Sequence, residues 1–196
     1  NIYNFATCPI ERLVEDGQGM SLRQLLKKPI FAAAIILMIC AGASEMSMAQ
    51  WASAFAESAL GLTKSVGDLA GACLFATTMG ISRMLYGKFG EKIDLIKFML
   101  ISGVICVVSY LLAGLSAMPI WGLAGCVMCG FSVGIMWPGS ISITAPRIPK
   151  GGTALFALLA MAGDMGGAFG PSVVGYFSQH AGDNLQAGLL TGCIFP

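Results

Sequence analysis

Six apolar stretches, five of them long enough to cross a bilayer, limit this chain more than any other feature. The hydrocarbon core of a membrane takes about 20 apolar residues in a helix. Runs of that kind stand at 30–57, 66–86, 95–115, 119–143 and 152–178, and a sixth starts at 185 and continues to 196. The joints are short and carry turn or charge signals: 61–65, GKFGEKID at 87–94, SAMP at 116–119, PRIPKGG at 146–152 and HAGDN at 180–184. Only 11% of the 196 residues are charged, against about 25% in an average soluble domain. So few charges cannot cover a water-facing surface, which excludes a disordered chain, a nucleic-acid-binding domain and an ordinary soluble enzyme. The expected fold is an all-α integral membrane protein, a bundle of about six transmembrane helices.

Basic residues orient the bundle, since Lys and Arg in short loops stay on the cytoplasmic side. With residues 1–28 inside, Arg12, Arg23, Lys27, Lys28, Arg83, Lys88, Lys92, Lys97, Arg147 and Lys150 lie inside or at the inner boundary, and only Lys64 lies outside. Residues 1–28 are therefore expected to be cytoplasmic. Their last part, SLRQLLKKP, sets Leu22, Leu25 and Leu26 among basic residues in the pattern of an interfacial amphipathic helix. Residues 29–196 are expected to form the transmembrane part, in the plasma or inner membrane. The chain begins at Asn1 rather than at a methionine and stops at Pro196 within an apolar stretch, so it is expected to be a fragment. No signal-peptide pattern marks its start.

Ionisable residues inside lipid are costly and are functional candidates by default. Counting about 1.5 Å per residue, Glu45 falls in the outer half of the first span and Asp164 near the middle of the fifth. Neither has a basic partner in its own span. A lone carboxylate there gains by taking up a proton or a cation, as ion coupling requires, or else hydrogen-bonds a neighbouring helix. Glu57 and Asp68 lie nearer the outer boundary, open to solvation or to Lys64. Ser44, Ser47, Gln50, Trp51, Ser53 and Phe55 accompany Glu45; they suit a small hydrophilic solute and equally an interfacial aromatic belt.

Glycines recur at helical spacing. Gly67 and Gly71, Gly130 and Gly134, and Gly163 and Gly167 form G-x-x-x-G, and Gly166 with Gly170 adds a second register just before Pro171. Tight packing accounts for them; a fifth span that bends or slides at the proline is the functional alternative. Cys40, Cys73, Cys106, Cys126, Cys129 and Cys193 lie in apolar spans, where a thiol is a small hydrophobe. The C-x-x-C of Cys126 and Cys129 has no second ligand pair, so neither metal nor cofactor is expected. Residues 130–134 spell G-x-S-x-G around Ser132, but mid-span, with His180, the one histidine, in an outer loop. The nucleophile-elbow chemistry lacks its turn and its base. With no H-E-x-x-H and no Walker motif either, no enzyme is expected.

The inside loop after the second span reads Arg83, Met84, Leu85, Tyr86, Gly87, Lys88, Phe89, Gly90, Glu91, Lys92. It resembles the cytoplasmic loop motif of the major facilitator superfamily, G-x-L-x-D-R-x-G-R-R. Gly90 and Lys92 match and Lys88 substitutes for arginine, but Arg83 stands at the first glycine and Gly87 at the aspartate, so a gating relay through that aspartate does not carry over. The stretch AGDMGGAFGPSVVG at 162–175 resembles the family's eleventh helix, and its GPxxxG portion is similar to the glycine-proline motif of the equivalent fifth helix. SLRQLLKKPIF looks like the end of the central cytoplasmic loop. The run 136–167 looks like the sugar-permease side of the superfamily, fucose-permease-like members in particular.

The resemblance implies helices 7 to 12 of a twelve-helix transporter, with an N-terminal half upstream and alternating access around a midplane site. It implies secondary active transport of a small polar solute, a sugar or related metabolite, coupled to H+ or Na+. Glu45, Gln50, Trp51 and Asp164 are then the solute or coupling residues. Arg83, Gly87, Lys88, Gly90 and Lys92 form the gating loop, and Gly163, Gly166, Gly167, Gly170 and Pro171 the flexing helix. The partners implied are the lipid bilayer, the solute and its ion, with no nucleic acid. A drug or metabolite exporter of the same superfamily and a non-transporting receptor with this fold are the alternatives.

Overall fold

The computed structural model describes residues 19–60 and 63–196, together with Tyr3 and Thr7. Arg12, most of the segment 1–18, and residues 61 and 62 of the first joint lie outside the described residues. All regular structure among the described residues is helical. A short α1 (Leu22–Leu26) leads into α2 (Pro29–Leu60). There follow α3 (Lys64–Phe89), α4 (Leu95–Leu115), α5 (Pro119–Val133), α6 (Met136–Thr144), α7 (Gly152–His180) and α8 (Leu185–Thr191). Five stretches are long and apolar enough to cross a membrane, with α5 and α6 together making the fourth, Ile120–Arg147. The chain is a multi-pass membrane bundle.

Polar residues at the joints start the helices. Ser21 caps α1 and Gln24 returns the bond to the Ser21 amide, a capping box. Asp94 caps α4 by accepting from the amides of Ile96 and Lys97, and the Lys97 amide holds its carboxyl below the usual carboxylate range. Asn184 does the same work for α8.

Two irregularities interrupt the apolar runs. In α3 the turn Asp68–Cys73 widens into a π-helix. The fourth run breaks at Gly134 and Ile135, between α5 and α6. Pro138 has no amide to offer the carbonyl four residues back, which is that of Gly134. The ladder opens where it loses that donor.

The centre of the bundle is α2, which packs along α7 and also touches α5, α6 and the π turn of α3. One apolar cluster gathers Met48, Phe55, Phe75, Tyr110, Val133 and Leu189; a second gathers Leu25, Phe31, Met38, Ile148, Leu155 and Leu159. Trp137 packs against both. In the second cluster Leu25 is fully buried and the Met20 amide donates to the Lys150 carbonyl at 2.9 Å. These contacts tie α1 to the loop before α7. Outside, Ile36, Leu69, Leu100, Ile101, Val104 and Phe169 are exposed, an apolar surface suited to lipid and not to water.

Between α2 and α7 the two backbones touch. A Cβ on Gly42 would fall on the Gly163 carbonyl, one on Gly166 would fall on the Ile39 carbonyl, and one on Gly170 would come within 2.8 Å of the Ala43 backbone. Only a missing side chain lets helices approach so closely. Gly80, by contrast, has open space around its Cβ position. Gly166→Ala is expected to destabilise by at least about 1–3 kcal/mol, whereas Gly80→Ala is expected to gain about 0.5–1 kcal/mol from helix propensity. Thermal unfolding of the purified protein in detergent measures both, and equal effects would show that the seam does not hold α2 to α7.

Candidate functional site

Charged side chains from three helices line one open cleft of about 530 Å³: Glu45 of α2, Arg83 of α3 and Asp164 of α7. Gly42, Gly163, Gly167, Met46 and Trp137 line it too. The glycine seam explains the space. Where α2 and α7 have no side chains, a hollow is left, and the Trp137 ring occupies the position that a Gly163 side chain would need.

Arg83 is held from two directions. Its Nε donates to the Gly134 carbonyl at 3.0 Å, the same carbonyl that Pro138 deprives of a helical donor. Its Nη2 stands 3.6 Å from Glu45 Oε2, an ion pair too long to be a hydrogen bond. Glu45 Oε2 is buried and has no hydrogen-bond partner among the described residues. The Glu45 side chain is 17% exposed and that of Arg83 43%. Asp164 is exposed to the cleft; among the described residues the ion pairs are Arg83 with Glu45 and Lys97 with Asp94, so no cation pairs with it. One residue before Glu45, the Ser44 carbonyl accepts from the fully buried Tyr110 hydroxyl at 2.8 Å, which anchors α2 to α4 beside the carboxylate.

The cleft continues along the α2–α7 seam. A second hollow of about 450 Å³ shares Gly167 and Ala168 with the first and is lined by Gln50, Trp51, Pro171, Ser172, Gly175, Tyr176 and Gln179. A third, about 580 Å³, shares Trp51, Gly175 and Gln179 with the second and adds Ser116, Asp183, Asn184 and Gln186. Trp51 lines both. Its Nε1–H donates to the Pro171 carbonyl at 3.2 Å, across the seam at the proline that deprives Gly167 of its own helical donor.

The structure thus brings Glu45 and Asp164 into one cleft and sets Gln50 and Trp51 in the next. Arg83 belongs with the carboxylates. Gly87, Lys88, Gly90 and Lys92 stand at the C-terminal end of α3 and in the turn Gly90–Lys92 that follows, where the Lys88 ammonium lies 5.4 Å from the Phe89 ring centre. Trp137 and Met46 were not singled out in the sequence. The available signal was Pro138, four residues past Gly134, which marks an orphaned carbonyl and a bend near Trp137. Farther along α2, Ser53 hydrogen-bonds Asp68 and lies 3.5 Å from Glu57.

The thiols form a separate, buried group. Cys106 and Cys129 sulfurs are 3.8 Å apart, Cys126 is buried nearby in the same core, and the Ser132 hydroxyl donates to the Cys129 carbonyl at 2.8 Å. Among the described residues no group of three His, Cys, Asp or Glu could hold a metal ion.

Compared with known proteins, the chain matches the family model described as Major Facilitator Superfamily over residues 10–171. No curated protein and no solved structure matches it.

The Trp51 bond across the seam can be measured alone. Trp51→Phe keeps the apolar bulk and loses the donor to Pro171, at an expected cost of about 1 kcal/mol. Trp121, which is 56% exposed on the outside, serves as the control, and Trp121→Phe is expected to stay within about 0.5 kcal/mol. Indistinguishable unfolding temperatures for the two variants would show that the bond holds nothing.

Proposed function

The chain belongs to the Major Facilitator Superfamily, whose model spans residues 10–171 of its 196, and on that premise we propose that it moves a small polar solute, a sugar or related metabolite, across the cell membrane in exchange for the energy of a proton or sodium gradient. Members of the family are secondary transporters, and this chain is one in that general sense. The observation that carries the finer reading is the charged cleft between α2 and α7. Two carboxylates and one guanidinium, set inside a lipid-facing bundle, are expensive to keep there and mark an ion or solute pathway.

On this reading Glu45 and Asp164 are the coupling carboxylates, and Gln50 and Trp51 contact the solute on its way from the outer hollow. The glycines and Pro171 of α7 let that helix shift against α2 as the site changes the side it faces. The loop Gly87–Lys92 lies on the cytoplasmic side, as does α1, in keeping with the placement of basic residues. An upstream half of the same polypeptide completes the site at the interface of two halves.

The test is external pH in a weakly buffered suspension of cells expressing the complete gene, after anaerobic addition of single solutes. Proton symport predicts alkalinisation with one solute or a related set, reduced at least about tenfold by Glu45→Gln or Asp164→Asn, a loss on the scale of about 1.4 kcal/mol or more. Accumulation of labelled solute without any pH change would assign the coupling to sodium or to exchange. Absence of any solute-driven flux would overturn the transporter reading.

A further inference from the structure

We propose that the solute carries a carboxylate, that Arg83 is its receptor, and that Glu45 is a built-in competitor which must take up a proton before the solute can bind. The inference rests on the transporter reading of the same cleft and names the class of solute.

Arg83 leaves most of its donors unused. A guanidinium presents five N–H donors in a planar fork suited to a carboxylate. Here one of them is committed, to the Gly134 carbonyl. The Glu45 carboxylate faces the fork at 3.6 Å, close enough to attract it and too far to bond it. Glu45 Oε2 is left buried without a hydrogen bond. Both partners of this pair are therefore incompletely satisfied, and the guanidinium side chain is 43% exposed toward the cleft. A carboxylate arriving from the cleft can make the two parallel bonds that Glu45 does not make.

Charge then fixes the proton. The groups around Glu45 are Arg83 from α3, Asp164 from α7 and the Tyr110 hydroxyl from α4, which is bound to the Ser44 carbonyl and has the thiols of Cys106, Cys126 and Cys129 beside it. The fourth span presents the Gly134 carbonyl and Trp137, both uncharged. Two carboxylates against one guanidinium leave one net negative charge. A solute carboxylate adds a second in a lipid-surrounded site, which is strongly unfavourable. One proton on Glu45 restores the count and frees Arg83 in the same step. Asp164 remains to accept from solute hydroxyls, and the Trp137 ring offers an apolar wall to a carbon skeleton. The ligand class that fits is a hydroxylated carboxylate, bound with one proton.

A neutral polyol would behave in the opposite way. Its hydroxyl could bridge the gap, accepting from Arg83 and donating to an ionised Glu45, and protonation would weaken that bond by turning a charged acceptor into a neutral one. The sign of the pH dependence therefore separates the two.

The experiment is binding to the purified full-length protein, read by tryptophan fluorescence or calorimetry from about pH 5 to about pH 8. The probes are matched pairs: D-glucuronate with D-glucose, D-gluconate with D-glucitol, lactate with propane-1,2-diol. The expected result is a carboxylate that binds at least about tenfold more tightly than its neutral partner, with affinity rising toward about tenfold per pH unit as pH falls. Glu45→Gln is expected to keep the low-pH affinity and lose the pH dependence. Arg83→Gln is expected to lose carboxylate binding at least about tenfold. Because Arg83→Gln also frees the Gly134 carbonyl and endangers folding, the flat profile of Glu45→Gln is the deciding readout. Equal binding of the neutral partners, affinity that falls with falling pH, or an unchanged pH profile in Glu45→Gln would each overturn the inference. So would solute-driven flux in cells with neutral or amine solutes alone, which would leave the transporter reading standing; no flux with any solute would overturn both.

Discussion

Everything in this bundle depends on the contact of two bare backbones, that of α2 near Gly42 and that of α7 from Gly163 to Gly170. In lipid there is no hydrophobic drive between helices, so close approach and dispersion must supply what exclusion from water supplies elsewhere. Glycine makes the approach possible and at the same time leaves no side chains to fill the flanks of the crossing. The hollow that holds Glu45, Arg83 and Asp164 is the geometric consequence of the packing that stabilises the pair. A bulky residue at Gly42 or Gly163 would remove both together.

Two prolines then decide which polar groups cross between helices. Each removes one amide from a helical ladder in surroundings where an unpaired carbonyl is costly. Pro138 orphans Gly134, and Arg83 from the second span supplies the missing donor. Pro171 orphans Gly167 beside the cleft, and its own carbonyl is taken by the Trp51 indole from the first span. Thr78 adds a similar bond to the Val127 carbonyl at 2.8 Å, where Gly130 brings α5 against the Phe75 backbone. The helices are thus linked by side chain to carbonyl bonds at the points where their own ladders are open or where glycine brings them close, and such bonds can be exchanged without unwinding a helix.

The class of fold was legible in the sequence because its signal is additive. Each apolar run carries about twenty residues of evidence, and few charges dilute it. Interruptions within a run are single-residue effects, and they were harder to see. Pro138 predicts a lost donor at Gly134, yet only the fold shows that Arg83, 51 residues earlier, is the group that answers it. Glu45 was legible as an ionisable residue inside lipid. Its pairing with Arg83 was not, because sequence spacing relates residues within a helix and says nothing about which face of a neighbouring helix they meet. Arg83 was counted among the basic residues of the inner boundary, and the fold shows a further role for its side chain, which enters the cleft six residues before the end of α3 and faces Glu45. Trp137 was hidden by being one apolar residue in an apolar run.

Depth and exposure set the two carboxylates apart, and on the proposed transport reading they do different work. Glu45 is mostly buried, opposite a guanidinium already fastened to another helix, so a change in its charge is felt at once by Arg83 and through it by the bend between α5 and α6. Asp164 is exposed, with no cation paired to it among the described residues, so a change in its charge is felt first by whatever occupies the cleft. If the cleft both senses an ion and holds a solute, as proposed above, it needs one group of each kind. If both acids were paired as Glu45 is, the solute would meet no free acceptor; if both were open as Asp164 is, protonation would alter the occupant and leave the helices indifferent. The proposed division of labour follows from which acid faces Arg83, and the Gly134 carbonyl that Pro138 leaves without a helical donor holds the guanidinium there.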